Sequence, residues 1–349
     1  MTVAVLGAGL AGLAAAHELT RAGAEVVLLE QERRAGGVVL TDRVDGRWVA
    51  EGGPDSFLSA DREIPALAEE VGVADRMVSE SIRGSLAWDG NSLAPLKEGE
   101  AAALLGFDVK PGDLAPGFKS FAGGMQTLTD AVAAQLGPVM RRAGVTALRV
   151  DGKGYHLSVT SAAGFSADAV VIALPGAAAA RLLRGLDQRL GDILGDVVYQ
   201  PSLTVSLGYR REQVKHPLDA TGYLVRPEVS DVARACTFAS SKFPGRAPQG
   251  HVLLRVFLSH GEGEATALAR ARIEAVLGVK GDPVFSRVFY WPRGLPRYGR
   301  EHPKGMATLR AELAPFPPVA VAGGACDGPG MSACVRSGRD AARAVLARL

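Results

Sequence analysis

The chain opens on a short unbroken apolar run, Val3 to Leu6. Apolar residues at helical spacing follow from Leu10 to Arg21, and a second apolar run spans Glu25 to Leu29. Short runs without polar alternation predict strands buried on both faces, and Gly23 stands where the intervening helix should end. Strand, helix and strand at this spacing predict a right-handed crossover in a parallel sheet. Further helices are predicted over Ala60 to Val71 and Met125 to Leu136. Strands are predicted near Val145 to Val150, over Tyr155 to Thr160 and over Ala169 to Leu174, with a turn at Asp151-Gly152. From Val197 to Tyr290 apolar and polar positions alternate in short runs such as T-V-S-L-G-Y and H-V-L-L-R-V-F-L, which predicts an antiparallel sheet. A helix over Ala265 to Leu277 interrupts it. A strand at Val319 to Ala322, a Gly-rich turn and a helix from about Ser332 to Leu349 close the chain.

The two ends thus predict one discontinuous α/β unit, residues 1–95, 118–175 and 312–349, of the Rossmann-like class. Residues 176–311 form a second domain with a mixed or antiparallel sheet plus a helix. Residues 96–117 are weakly patterned and read as a shortened linker or small lid. A length of 349 residues supports two cores. The formal net charge of +2, with basic residues scattered, excludes nucleic acid as a main partner, because phosphate neutralisation needs clustered cations. Cys236, Cys326 and Cys334 form no C-x-x-C pair, so reduced thiols are expected. The longest uncharged apolar stretch, Ala169 to Ala180, contains Pro175 and is too short to span a bilayer. With no secretory leader pattern, the expectation is a cytoplasmic protein without a transmembrane segment. The six histidines show no metal-ligand spacing, so no metal is expected, and no G-x-S-x-G elbow or Cys–His pairing points to a nucleophile.

Gly7-Ala8-Gly9-Leu10-Ala11-Gly12 is a G-x-G-x-x-G between the first strand and helix. Gly7 permits the tight turn, Gly9 lets backbone approach a pyrophosphate, and Gly12 lets helix and strand pack closely. The helix start at Leu10 and Ala11 then faces the anion with unpaired N–H groups. Glu30, followed by Gln31, ends the second strand where a carboxylate accepts ribose hydroxyls and repels a 2′-phosphate. Dinucleotide binding follows, with NADP disfavoured.

Glu30-Gln31-Glu32-Arg33-Arg34-Ala35-Gly36-Gly37 resembles the extended signature of the flavin amine oxidase superfamily, which implies FAD held non-covalently. In that reading Gly36 and Gly37 let the backbone run against the cofactor and Arg34 sits beside its phosphates. Val38 stands where the superfamily usually has Arg or Lys. Glu51-Gly52-Gly53-Pro54-Asp55-Ser56-Phe57-Leu58 is similar to the segment of bacterial protoporphyrinogen/coproporphyrinogen oxidases that passes the flavin ring. Gly323-Gly324-Ala325 and Gly328-Pro329-Gly330-Met331-Ser332 resemble that family's final motif, a helix N-terminus aimed at the flavin pyrimidine. Val145 matches the position whose backbone meets the adenine. Trp291 and Leu295 to His302 resemble a further family stretch, which implies Tyr298 near the flavin side.

The resemblance covers residues 1 to about 95 and about 118 to 349. The family's long helical insertion, which roofs the substrate and contacts the membrane, is reduced here to roughly Glu98 to Gly117. The resemblance implies an oxidase that takes hydride from a porphyrinogen and returns it to O2 as H2O2. Orientation and charge stabilisation are the protein's work, so no catalytic side chain is assigned. The lost insertion leaves open a flavin oxidase or desaturase for a smaller substrate, or a FAD-holding protein without oxidase activity. It also leaves open a homo-oligomer in which a second subunit covers the substrate face.

Overall fold

The computed structural model describes residues 1–104, 112, 114–137, 140–160 and 163–349. Strand β1 (Thr2–Leu6), helix α1 (Leu10–Arg21) and strand β2 (Glu25–Glu30) form the predicted opening unit. β1 is the middle of a five-stranded parallel sheet whose order is Met140–Arg141, β2, β1, Ala169–Ile172 and Val319–Val321. The last of these comes from the other end of the sequence, so the sheet closes only when both chain ends meet.

Both faces of β1 are covered, as its unbroken apolar run requires. Val3 and Val5 face a core built with α1, the helices Glu63–Glu70 and Gln126–Gln135, and the C-terminal helix Met331–Leu346. Ala4 and Leu6 face a second core under the antiparallel strands Val145–Asp151, Gly154–Val159 and Phe165–Ala167, with helices Gly176–Leu183 and His302–Glu312. The helix expected from Ala60 begins instead at Glu63. The residues before it form a turn: Asp61 N–H donates to Leu58 O, and Ser59 N–H to Gly117 O.

The second domain is a seven-stranded sheet in the order Phe285–Arg297, Val198–Arg210, His251–Leu258, Ala233–Phe238, Gly222–Val225, Leu86–Trp88 and Leu93–Pro95. One face, carrying Val205, Leu207, Tyr209, Leu254 and Val256, is covered by helix Ala265–Leu277. The opposite face carries Thr204, Phe289, Arg255 and Phe257 by register, and it looks toward Gly52 and Gly53.

The boundary expected at residue 95 needs correction. Leu86–Trp88 pairs parallel with Gly222–Val225, and Leu93–Pro95 pairs with it in turn. Backbone hydrogen bonding therefore assigns both strands to the second sheet rather than the first unit. Two small sheets were not expected at all: the hairpin Thr41–Val44 with Trp48–Glu51, and Phe57–Leu58 with Phe118–Phe121 and Met77–Ser79. Of the segment 96–117, residues 105–111 and 113 lie outside the described residues. Its described ends are tied down. Glu100 pairs with Arg226 at 3.3 Å, and the carbonyl of Ala115 accepts from Arg83 at 2.7 Å.

Candidate functional site

The glycine spacing acts through backbone contact. Gly7 turns at φ +96°, and a Cβ there would lie 2.5 Å from the Ala173 carbonyl oxygen. A Cβ on Gly12 would lie 1.8 Å from the Gly7 oxygen, so α1 packs on β1 at a distance only hydrogen allows. Gly9 is different. Its Cβ direction meets nothing nearer than Gly37 Cα at 4.0 Å, a small cradle that a side chain would fill. No side chain caps α1 and no acidic residue stands in its first turn, so the N–H groups beyond Gly9 face that cradle without a side-chain partner.

Glu30 is 9% exposed and braces the same cradle. Its Oε2 accepts from Ala8 N–H at 2.8 Å and its Oε1 from Glu32 N–H at 2.8 Å, leaving one lone-pair direction on each oxygen for hydroxyl donors. Gln31 is exposed beside it. The carbonyl of Glu30 accepts from Ala143 N–H at 2.8 Å, and Val145, two residues on, is buried.

The next loop crosses over Gly9. Gly36 N–H donates to Ala8 O at 2.7 Å, and Gly36 forms a parallel bridge with Gly9. The Arg34 guanidinium donates to the carbonyls of Ala35, Gly37 and Val39. Those contacts make it the brace of the glycine loop, since a fork of planar donors satisfies several carbonyls at once. Val38 is 40% exposed on the tip of this loop, and its carbonyl abuts Gly53, where a Cβ would lie 1.8 Å away.

Behind Gly53-Pro54-Asp55 lies a buried charge cluster that sequence reasoning did not assemble. Arg255 Nη1 donates to Gly53 O at 2.7 Å, and Trp291 Nε1 to Gly52 O at 2.7 Å. Glu51 accepts from Thr41 Oγ1 and Met125 N–H and lies 3.4 Å from Arg246 Nη1. Burial pushes its carboxyl up, against the pull of Arg246. Asp55 accepts from Lys242 Nζ at 3.2 Å and from Ser56 Oγ at 2.6 Å. Burial works against its charge, but Lys242 and Arg255 outweigh it and hold the carboxyl well below the ordinary range. The available signal was Arg255 itself, a lone cation inside the apolar run H-V-L-L-R-V-F-L.

At the other side of the cradle, Gly323 follows Val319–Val321 and its N–H donates to Ser337 Oγ at 2.9 Å. After the short helix containing Gly324, Gly330 opens the C-terminal helix with no side-chain cap; Met331 is half-buried and Ser332 Oγ is buried without a partner. A Cβ on Gly338 would lie 2.1 Å from Ala11 O, so this helix packs hard against α1 and both uncapped N-termini serve one region. Tyr298 stacks on His302 at 4.0 Å, and its hydroxyl approaches Gly328 in the Gly-rich turn. Burial raises the Cys334 thiol to about 11 and the Cys326 thiol to about 12, so neither is the thiolate that covalent attachment needs. Among the described residues no group of His, Cys, Asp and Glu forms a metal cluster.

The open cradle at Gly9, the two uncapped helix starts and the orphaned Ser332 hydroxyl fit FAD. The comparisons agree. The profile described as "Flavin containing amine oxidoreductase" matches residues 10–115 and 85–346. The coproporphyrinogen III oxidase of Bacillus subtilis (strain 168) is 22% identical over 464 aligned positions, covering 99% of this chain and 98% of that protein. The Mycobacterium bovis (strain ATCC BAA-935 / AF2122/97) enzyme of the same name is 26% identical over 450 positions, covering 99% and 97%. Both alignments exceed this chain's 349 residues, so those relatives carry length that it lacks. In fold, a protein from Exiguobacterium sp. 255-15 assigned as a protoporphyrinogen oxidase superposes with a TM-score of 0.86 at 21% identity, covering 100% of this chain and 99% of that one.

Proposed function

This chain belongs to the flavin-containing amine oxidoreductase family and is an FAD-dependent oxidoreductase; from that premise we propose that it oxidises a porphyrinogen-type substrate, with O2 as acceptor and H2O2 as product. Bound FAD supplies hydride acceptance and the return of the electrons to O2. In this reading α1 and the C-terminal helix present their positive ends to the diphosphate and to the charge gained on reduction. Glu30 holds the ribose, and Gly36-Gly37 and Gly53-Pro54-Asp55 lie along the cofactor, with Val145 at the adenine end and Gly324, Gly330, Met331 and Ser332 at the flavin end.

The carrying observation is the face of the seven-stranded sheet turned toward Gly52 and Gly53. Thr204, Thr237, Phe257 and Phe289 share it by register, neutral and partly apolar, opposite Gly52-Gly53. Its cations by register, Arg255 and Arg287, are committed to Gly53 O and to Asp42. A wall without an uncommitted acid or base suits a hydride transfer whose proton leaves to solvent, and an apolar wall suits a flat macrocycle. The names of the curated relatives support the same substrate class.

A second reading, a smaller substrate, is favoured by the shortened segment 96–117 and by the length missing against those relatives. Anaerobic mixing of the FAD-loaded protein with coproporphyrinogen III, protoporphyrinogen IX and primary amines separates the two. Bleaching of the flavin absorbance by a porphyrinogen, with porphyrin fluorescence on admitting air, is the expected result. Bleaching by an amine alone would overturn the porphyrinogen reading.

A further inference from the structure

Two successive carbonyls of the segment Gly52-Gly53-Pro54 point into the seven-stranded sheet. Trp291 Nε1 donates to Gly52 O at 2.7 Å, and Arg255 Nη1 donates to Gly53 O at 2.7 Å. The Gly53–Pro54 peptide has no N–H, so that carbonyl is its only polar group. With both oxygens held from the sheet side, neither faces the opposite side of the segment.

Arg255 also brings charge. Lys242, Arg246 and Arg255 face Glu51 and Asp55 behind this segment, three cations against two carboxylates. The charges next outward are matched: Glu80 by Arg83 at 3.5 Å and Arg43 by Asp130 at 3.7 Å. One positive charge is therefore left over. Burial pushes the Glu51 carboxyl up toward its neutral form, which enlarges that surplus. Arg246 is 2% exposed and Arg255 5%, so water screens little of their field. Taking up hydride adds negative charge to a flavin, and unscreened positive charge nearby favours the reduced form.

We propose that Arg255 and Trp291 are positioning residues for the flavin: they turn the Gly52 and Gly53 carbonyls away from it, and Arg255, with Lys242 and Arg246, holds its reduction potential up. The inference rests on the reading that Gly53-Pro54-Asp55 lies along the cofactor, and not on which substrate is oxidised. The potential of bound FAD, from anaerobic reductive titration against a reference dye, tests it without any substrate. Arg255→Met should shift the equilibrium toward oxidised flavin about tenfold, about 30 mV downward for a two-electron couple. Trp291→Phe, which frees Gly52 O, should also lower the potential. Arg255→Lys keeps the charge and should stay near wild type. Asp55→Asn removes a negative charge from the same cluster and should raise the potential. A purely structural role would shift every variant according to its loss of stability, so the opposite sign for Asp55→Asn decides. No shift in Arg255→Met, a potential for Arg255→Lys as low as that of Arg255→Met, or a downward or absent shift in Asp55→Asn overturns the proposal. Should Arg255→Met not hold FAD, Asp55→Asn decides alone. A crystal structure of the FAD-loaded protein separates two failures. Flavin against Gly53-Pro54 with unchanged potentials overturns the tuning alone, whereas flavin elsewhere overturns the placement as well.

Discussion

Arg255 reaches from an interior strand of the second domain to donate, at 2.7 Å, to the carbonyl of Gly53 in the first. The contact joins the seven-stranded sheet to the loop opposite it. Arg255→Met removes a charge-assisted hydrogen bond and one of the cations holding Asp55 ionised. Urea unfolding of the FAD-loaded protein should show a loss of about 2 kcal/mol. Arg255→Lys should recover little, because an ammonium cannot serve Gly53 O and Thr204 Oγ1 with one planar fork. Recovery to wild-type stability with Lys would show that charge alone matters.

Two glycines of one motif should fail differently. Gly9→Ala places a methyl in open space, 4.0 Å from Gly37 Cα, so the apoprotein should melt normally while FAD affinity falls by about 1–3 kcal/mol. Gly12→Ala drives a methyl against the Gly7 carbonyl at 1.8 Å and should cost about 3 kcal/mol or more of fold stability. Calorimetry of both apoproteins and FAD titration of Gly9→Ala check the contrast; equal melting temperatures would count against it.

Glu30→Ala should weaken FAD binding by about 1–3 kcal/mol, measured by fluorescence titration. It should also lower the melting temperature of the apoprotein, because Glu30 caps the N–H groups of Ala8 and Glu32 within the fold itself. An apoprotein as stable as wild type would mean those two bonds contribute nothing.

Asp55 sets a pH dependence of definite sign. Its folded carboxyl titrates below the ordinary value of 3.8, so the unfolded chain takes up the proton first as pH falls. The stability it contributes is therefore present above that value and is lost as pH drops through it toward the lower, folded one. Urea midpoints measured from pH 7 down to about pH 2 should fall more steeply for wild type than for Asp55→Asn. Parallel curves would remove Asp55 from the acid response.

Non-covalent attachment predicts that acid precipitation releases FAD into the supernatant. Flavin retained on the denatured chain would overturn the non-covalent reading.

The crossover β1–α1–β2 was legible in the residues themselves. Its apolar runs, its glycines and Glu30 act over about 30 consecutive residues, and local pattern reports local backbone. The Gly36-Gly37 and Gly53-Pro54 segments were legible as motifs, though the job of Arg34 was not, because its carbonyl partners exist only once the loop has turned. Helix Ala265–Leu277 was read to the residue. The strand Leu86–Trp88 was missed as part of the second sheet, since its partner Gly222–Val225 lies more than a hundred residues away and three residues carry no period. The buried charges show the same limit most sharply. Glu51 and Arg246 each look like an ordinary surface residue in sequence, and their burial, like that of Arg255, follows from a tertiary meeting that lets opposite charges and backbone carbonyls replace water around them.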